Sequence, residues 1–179
     1  TTGVVRRMIE HLGVSIDWET FEGLQGEIPS SLLESARSTG CILMARVASD
    51  PAPGKLPVTV QLRKALGLYA QVRQVRNLPG LPARFSNVDL SIVRETSEDI
   101  YTGIEHESAP GVYESIKLTT EKACERIARF AYEHAVNGNR KLVTVVHKSN
   151  IMKRSDGLLL RTALRVAEDY PQIETNEVI

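Results

Sequence analysis

The chain carries no net charge: 22 Lys and Arg residues are balanced by 22 Asp and Glu. That balance argues against a nucleic-acid-binding or membrane-surface protein. No apolar run approaches the ~18 residues of a membrane span, and no signal peptide is visible. Cysteine is nearly missing, and Cys41 and Cys124 lie far apart, matching no metal or redox spacing. Both are expected to be buried thiols of a reducing compartment. There is no G-x-G-x-x-G phosphate loop, which excludes the Rossmann fingerprint alone and leaves nucleotide binding by another fold open. Internal repeats and low-complexity segments are also lacking. What is present is ordinary for a globular chain: 179 residues, 42% hydrophobic and 25% charged. That length allows one sizeable core, or one domain and part of another.

Helical and strand patterns alternate along the chain. "TTGVVRRMIEHLG" places Val4, Val5, Met8, Ile9 and Leu12 on one helical face, with Gly13 able to end it. "VSIDWETF" alternates as a strand with Val14, Ile16 and Trp18 on one side, and "CILMARV" reads as a short apolar strand. "SLLESARSTG" has Ser31 and Glu34 at capping-box spacing. After the Pro/Gly loop "ASDPAPGKLP" comes a helix, "VTVQLRKALG", then strands in "LYAQVRQVR", "NVDLSIVRE" and the more polar, edge-like "GVYESIKLT". "TTEKACERIARFAYEHAVNG" is the clearest helix, with Ala123, Ile127, Phe130, Ala131 and His134 on one face. "KLVTVVH" reads as a buried strand, "SDGLLLRTALRVAEDYP" as a helix and "QIETNEVI" as the start of one more strand. The alternation predicts an α/β layered fold.

Several side chains stand where chemistry could occur. Arg63 falls on a helix, Arg73 on the next strand and Arg94 at the end of the strand after it. Converging guanidinium groups suit a ligand with several carboxylates, because each can clamp one bidentately. Tyr101 could relay a proton, and Lys148, at a strand end, could act as a base if desolvated. The same residues also read as surface arginines, a loop tyrosine and a lysine whose stem covers apolar surface. His106, His134 and His147 have no metal-cluster spacing, and His134 is expected to be a hydrogen-bonded core residue.

Three stretches in order carry a family resemblance: "LRKALGLYAQVRQVRNLPGL", "DLSIVRETSEDIYTGIEHES" and "KLVTVVHKSNIMKRSDGLLL". Together they resemble the isocitrate and isopropylmalate dehydrogenases, and "IEHES" and "VHKSNIMK" resemble NAD-type isocitrate dehydrogenases most. The resemblance implies an incomplete isocitrate/isopropylmalate dehydrogenase-like layered fold. It treats 1–179 as a partial domain, with about 89–153 as the clasp and small-domain-like region. It implies hydride transfer from a 2-hydroxy acid to NAD or NADP, with Mg²⁺ or Mn²⁺ bound, then decarboxylation and enolate reprotonation; the NAD-type stretches make NAD the cofactor expected. Arg63, Arg73 and Arg94 would hold substrate carboxylates, Tyr101 would protonate the enolate and Lys148 would accept the hydroxyl proton. Asn150 would contact the nicotinamide end of the cofactor. In such enzymes the lysine–asparagine loop serves a neighbouring subunit's site, so a homodimer, a hetero-oligomer or a larger assembly is expected. "GVYESIKLT" resembles the strand region through which subunits clasp.

Departures from the family pattern shape the expected function. The "GDGIGPE" turn would precede Thr1, and the metal-binding aspartates and adenosine-binding segments would follow Ile179, so metal ligands are expected to be absent from this chain. Where the family reads "KGP", "TTP" and "SxNxxLR", this chain reads "MAR", "ASD" and "PVTVQLR". A substrate-contacting Ser has become Pro57 and the following Asn Thr59, while Arg46 and Asp50 bring charge towards the nicotinamide. The expected function is a noncatalytic or degenerate subunit, a pseudoenzyme of the tricarboxylic acid cycle, inactive by itself. The alternatives are a fragment of an active NAD-dependent isocitrate dehydrogenase and a di- or tricarboxylate-binding module. The mitochondrial matrix and the bacterial cytoplasm remain equal expectations.

Overall fold

The computed structural model describes residues 2–24, 27–45 and 56–179. Arg46 and Asp50 lie outside them. The chain divides into two compact units, Thr1–Leu68 and Tyr69–Ile179.

The first unit is helical where described: α1 (Thr2–His11), α2 (Ser30–Thr39) and α3 (Val58–Leu66). The expected strand at 14–21 is not formed, nor is the described part, 41–45, of the one expected at 41–47, whose last two residues lie outside the described residues. Alternation favours a strand only when a second strand accepts its hydrogen bonds, and no described segment pairs with either. Nor does Ser31 cap α2. The helix starts one residue earlier, at Ser30, with Pro29 in the cap position and no side-chain cap hydrogen bond, so Ser31 sits inside the first turn. α3 follows its sequence pattern closely. Pro57 precedes it, Val58 and Leu62 turn inward, and Gly67 ends it at φ 64°, a left-handed conformation that glycine adopts without a Cβ clash. Cys41, expected inside, is exposed; Cys124 is buried.

The second unit holds β1 (Ala70–Arg76), β2 (Asp89–Glu95), a 3₁₀ turn at Ile100–Thr102, β3 (Glu105–Ala109) and β4 (Val112–Ser115). These are followed by α4 (Glu121–Asn137), β5 (Leu142–Val146), α5 (Ser155–Ala167) and β6 (Glu174–Val178). β1 and β2 pair antiparallel, as do β3 and β4, whose register shifts between Glu107 and Ala109. β5 and β6 pair in parallel, with α5 as the crossover that a parallel connection requires. β3 escaped the sequence reading because Glu105–Ala109 is polar and exposed throughout.

The core forms where α4 and α5 cover β5: Ala128, Tyr132, Ala135, Val145, Ala163, Val166 and Ile173 cluster together. The buried face of α4 is therefore Ala123, Cys124, Ile127, Ala128, Tyr132 and Ala135. It is rotated from the expected one, which kept Phe130, Ala131 and His134. The difference is Tyr132, whose large apolar ring goes inside while its hydroxyl meets Thr175 Oγ1 at 2.9 Å. His134 is not a hydrogen-bonded core residue. It is half-buried and stacks on Phe130, with ring centroids 6.2 Å apart.

Candidate functional site

The β1–β2 register decides where two of the arginines go. Arg73 lies opposite Ile92 and Gln71 opposite Arg94. Arg73 and Arg94 are thus diagonal neighbours on one face of the ribbon, a placement in which long side chains reach each other. Both are exposed, and among the described residues neither forms an ion pair, so their charges are available to an anion. The other ribbon face is occupied: Arg76 and Arg140 pair with Asp89, and Arg126 reaches Glu95. Arg63 belongs to the first unit, half-buried in the last turn of α3.

Beyond β2 the chain makes a tight, heavily bonded turn. Glu95 accepts the backbone N–H groups of Ser97 and Glu98, and Glu98 in turn accepts the N–H and hydroxyl of Thr120 at the start of α4. Asp99 takes φ 64° and caps the 3₁₀ turn, accepting the Ile100 N–H at 2.6 Å. That turn carries Tyr101, which is 48% exposed.

Lys148 and Asn150 follow β5 and are both exposed. Among the described residues nothing encloses the Lys148 side chain. Its backbone is held firmly: the Lys148 N–H donates to Asp156 Oδ2 at 2.7 Å. His147 beside it is buried. Its Nδ1 accepts the Ser149 N–H at 3.1 Å, which leaves the proton on Nε2. That Nε2 lies 3.4 Å from Glu177 Oε2 and has no hydrogen-bond partner among the described residues.

Asp156 sits at the start of α5, 5% exposed, and its Oδ1 accepts from Lys117 Nζ at 2.6 Å. Lys117 also reaches Asp99 Oδ2 at 3.1 Å. A cavity of about 60 Å³ adjoins this cluster, lined in part by Glu98, Leu118, Cys124 and Leu159. Burial, with the neighbouring acids, pushes the Cys124 thiol up to about 11, so it is a packed thiol and not a nucleophile at neutral pH. Burial raises the Asp156 carboxyl, but the Lys117 hydrogen bond and the Lys148 N–H outweigh it, and the net shift is downward. The sign follows by linkage. Asp156 stabilises the fold fully above the ordinary carboxylate range, and that contribution is lost as pH falls through its lower folded value. Thermal midpoints of the native protein and Asp156→Asn are therefore expected to differ near neutrality and to converge well below about pH 4. A gap that persists undiminished at the acid end would refute this role.

Asp99, Lys117 and Asp156 were not singled out by sequence. The available signals were weak: an acid in the first turn of a helix, and a lysine at the end of a polar strand. Among the described residues no group of three or more His, Cys, Asp or Glu converges. Asp99 and Asp156 share a lysine. No described helix is long and apolar enough to cross a membrane.

Residues 8–179 match the family model described as isocitrate/isopropylmalate dehydrogenase. The chain is 42% identical over 180 residues to isocitrate dehydrogenase [NAD] regulatory subunit 1, mitochondrial, of Arabidopsis thaliana, covering 99% of this chain and 49% of that protein. It is 38% identical over 183 residues to the probable isocitrate dehydrogenase [NAD] subunit alpha, mitochondrial, of Drosophila melanogaster, covering 98% and 48%. The chain thus spans about half the length of these relatives. Among solved structures, isocitrate dehydrogenase from Methylococcus capsulatus superposes with TM-score 0.88 at 35% identity, covering 99% of this chain and 56% of that one. The α/β architecture, the retained "IEHES" and "VHKSNIMK" stretches and these matches agree: the chain belongs to the isocitrate/isopropylmalate dehydrogenase family.

Proposed function

We propose that this chain is a noncatalytic subunit of an NAD-dependent isocitrate dehydrogenase assembly. It holds a di- or tricarboxylate through Arg73 and Arg94, and it lends Lys148 and Asn150 to the catalytic site of a neighbouring dehydrogenase-like chain. The observation that carries this reading is Pro57. It stands immediately before α3, where active members of the family present a serine to the substrate, and it offers neither a hydroxyl nor a backbone N–H. The carboxylate clamp, by contrast, keeps its arginines. The reading also accords with relatives named as regulatory subunits, at 42% identity in two Arabidopsis thaliana proteins. Their mitochondrial names favour the matrix over a bacterial cytoplasm for this chain.

Within such an assembly, NAD would accept a hydride at the neighbour's site. Asn150, an exposed amide with both donor and acceptor groups, would face the nicotinamide end there. Lys148 would be desolvated by the neighbouring chain, which is what a base with a lowered pKa requires. The β3–β4 hairpin would be the clasp, since Val112, Tyr113 and Ile116 are exposed along it. A second reading, an oxidative decarboxylase in its own right, is favoured by the retention of Tyr101, Lys148 and Asn150.

The test is isocitrate-dependent NAD reduction by the natural-length protein, alone and together with its co-purifying partner, with Mg²⁺ or Mn²⁺ present. No turnover is expected from this protein alone, and calorimetry should still register citrate. Turnover of roughly 1 s⁻¹ or more from the chain alone, an ordinary enzymatic rate, would overturn the noncatalytic reading in favour of the enzyme. Absence of any carboxylate binding would remove the clamp.

A further inference from the structure

The Lys117 ammonium lies between two carboxylates, each of which uses its second oxygen in the same way. Asp99 gives Oδ2 to Lys117 at 3.1 Å and Oδ1 to the Ile100 N–H, the first residue of the turn that carries Tyr101. Asp156 gives Oδ1 to Lys117 at 2.6 Å and Oδ2 to the Lys148 N–H. The two segments are far apart in sequence, and their functional side chains are exposed, while Lys117 and Asp156 are largely enclosed, 25% and 8% exposed at the side chain, and Asp99 is open at 41%. We infer that Lys117 is a positioning residue shared by both segments, its single cation fixing the backbone that aims Tyr101 and the backbone that aims Lys148.

The physical case rests on what each carboxylate would do without the lysine. A carboxylate hydrogen-bonded to a backbone N–H is anchored at one oxygen only and can swing about its Cβ–Cγ bond. A cation at the second oxygen removes that freedom. Asp99 holds a non-glycine residue at φ 64°, so the turn depends on side-chain bonds to stay in a sparsely populated conformation. Asp156 is buried, and an unpaired buried carboxylate would either draw in water or move, taking the Lys148 N–H with it. The backbone reinforces the link, since the Asp99 N–H donates to the Leu118 carbonyl at 2.8 Å, next to Lys117. One lysine thereby ties the turn of this chain's own carboxylate site to the segment proposed to serve its neighbour. The functional meaning of that tie rests on the shared-site reading above; the mechanical tie does not.

The test compares Lys117→Met, Lys117→Arg and Asp156→Asn in the natural-length protein within its native assembly, by hydrogen exchange and by steady-state kinetics. In Lys117→Met the amides of Ile100 and Lys148 should both exchange about tenfold faster, consistent with the loss of roughly 1.4 kcal/mol of local protection, while core amides of α4 hold their rates. The kcat of the assembly should fall about tenfold with KM within about twofold, the pattern of a misplaced group in the transition state. Lys117→Arg should recover most of the loss, because it restores a cation between the two acids. Asp156→Asn should loosen the Lys148 segment and spare Ile100. Faster exchange in only one segment of Lys117→Met, or spread evenly over α4 and α5, would overturn the shared-positioning inference. Paired loosening with kcat unchanged would overturn its bearing on catalysis. Lys148→Met is the separate control: an unaltered kcat there rejects the shared-site reading, and the exchange pattern still decides the role of Lys117.

Discussion

Replacing Arg73 and Arg94 together by alanine is expected to lower affinity for isocitrate or citrate by roughly a hundredfold or more, since each charge-assisted hydrogen bond contributes about 1.5–3 kcal/mol. The pair shares one face of the β1–β2 ribbon through the Arg73–Ile92 and Gln71–Arg94 registers. Both guanidinium groups can therefore meet one ligand from the same side. The two losses need not add, because groups that bind one ligand are coupled. The fold should be nearly unaffected: both side chains are exposed and neither pairs with a described residue, and such surface changes usually stay within about 0.5 kcal/mol. Calorimetry with citrate, beside a thermal melt of the same variant, separates affinity from folding. Unchanged affinity would mean that the two arginines are solvated surface and that the clamp lies elsewhere.

Tyr132→Ala is expected to destabilise the protein by about 3–5 kcal/mol, the usual range for emptying a large aromatic site. Tyr132 is 0% exposed and sits among Ala128, Ala135, Val145, Ala163, Val166 and Ile173. Its ring stacks on Tyr170 with centroids 5.2 Å apart, and its hydroxyl meets Thr175 on β6. Alanine would leave a cavity between α4 and the β5–β6 pair and strip Thr175 of its partner. The residues around the ring are mostly alanines and valines, so they have little reach to close the gap. Urea unfolding should show a lower midpoint with an unchanged slope. A loss under about 1 kcal/mol would mean that the cluster collapses around the gap and that Tyr132 is not its centre.

The sequence alone was enough to identify the elements whose signals are local. α3 was legible because its apolar positions repeat at helical spacing and Gly67 closes it. α4 and α5 were legible from long, strongly patterned stretches, and β5 was legible as a strand, but it was expected buried and only Val145 within it is. Membership of the family was legible too, because "DLSIVRETSEDIYTGIEHES" and "KLVTVVHKSNIMKRSDGLLL" join chemistry-bearing residues in a fixed order. Only the tertiary structure decided what depends on distant partners. Val14–Phe21 alternates, but a strand needs a neighbour for its N–H and C=O groups, and none of the described residues supplies one. Ser31 and Glu34 had capping-box spacing, but the helix began at Ser30 and put the serine inside it. Helical spacing on α4 was compatible with two adjacent stripes, and packing against β5 and α5 selected the one containing Tyr132. Arg73 and Arg94 share a face because of an antiparallel register that no single strand encodes. Lys117 meets Asp99 and Asp156 from 18 and 39 residues away, and a contact across such separations leaves no periodicity to read, because it exists only once β2, β4 and α5 have been brought together.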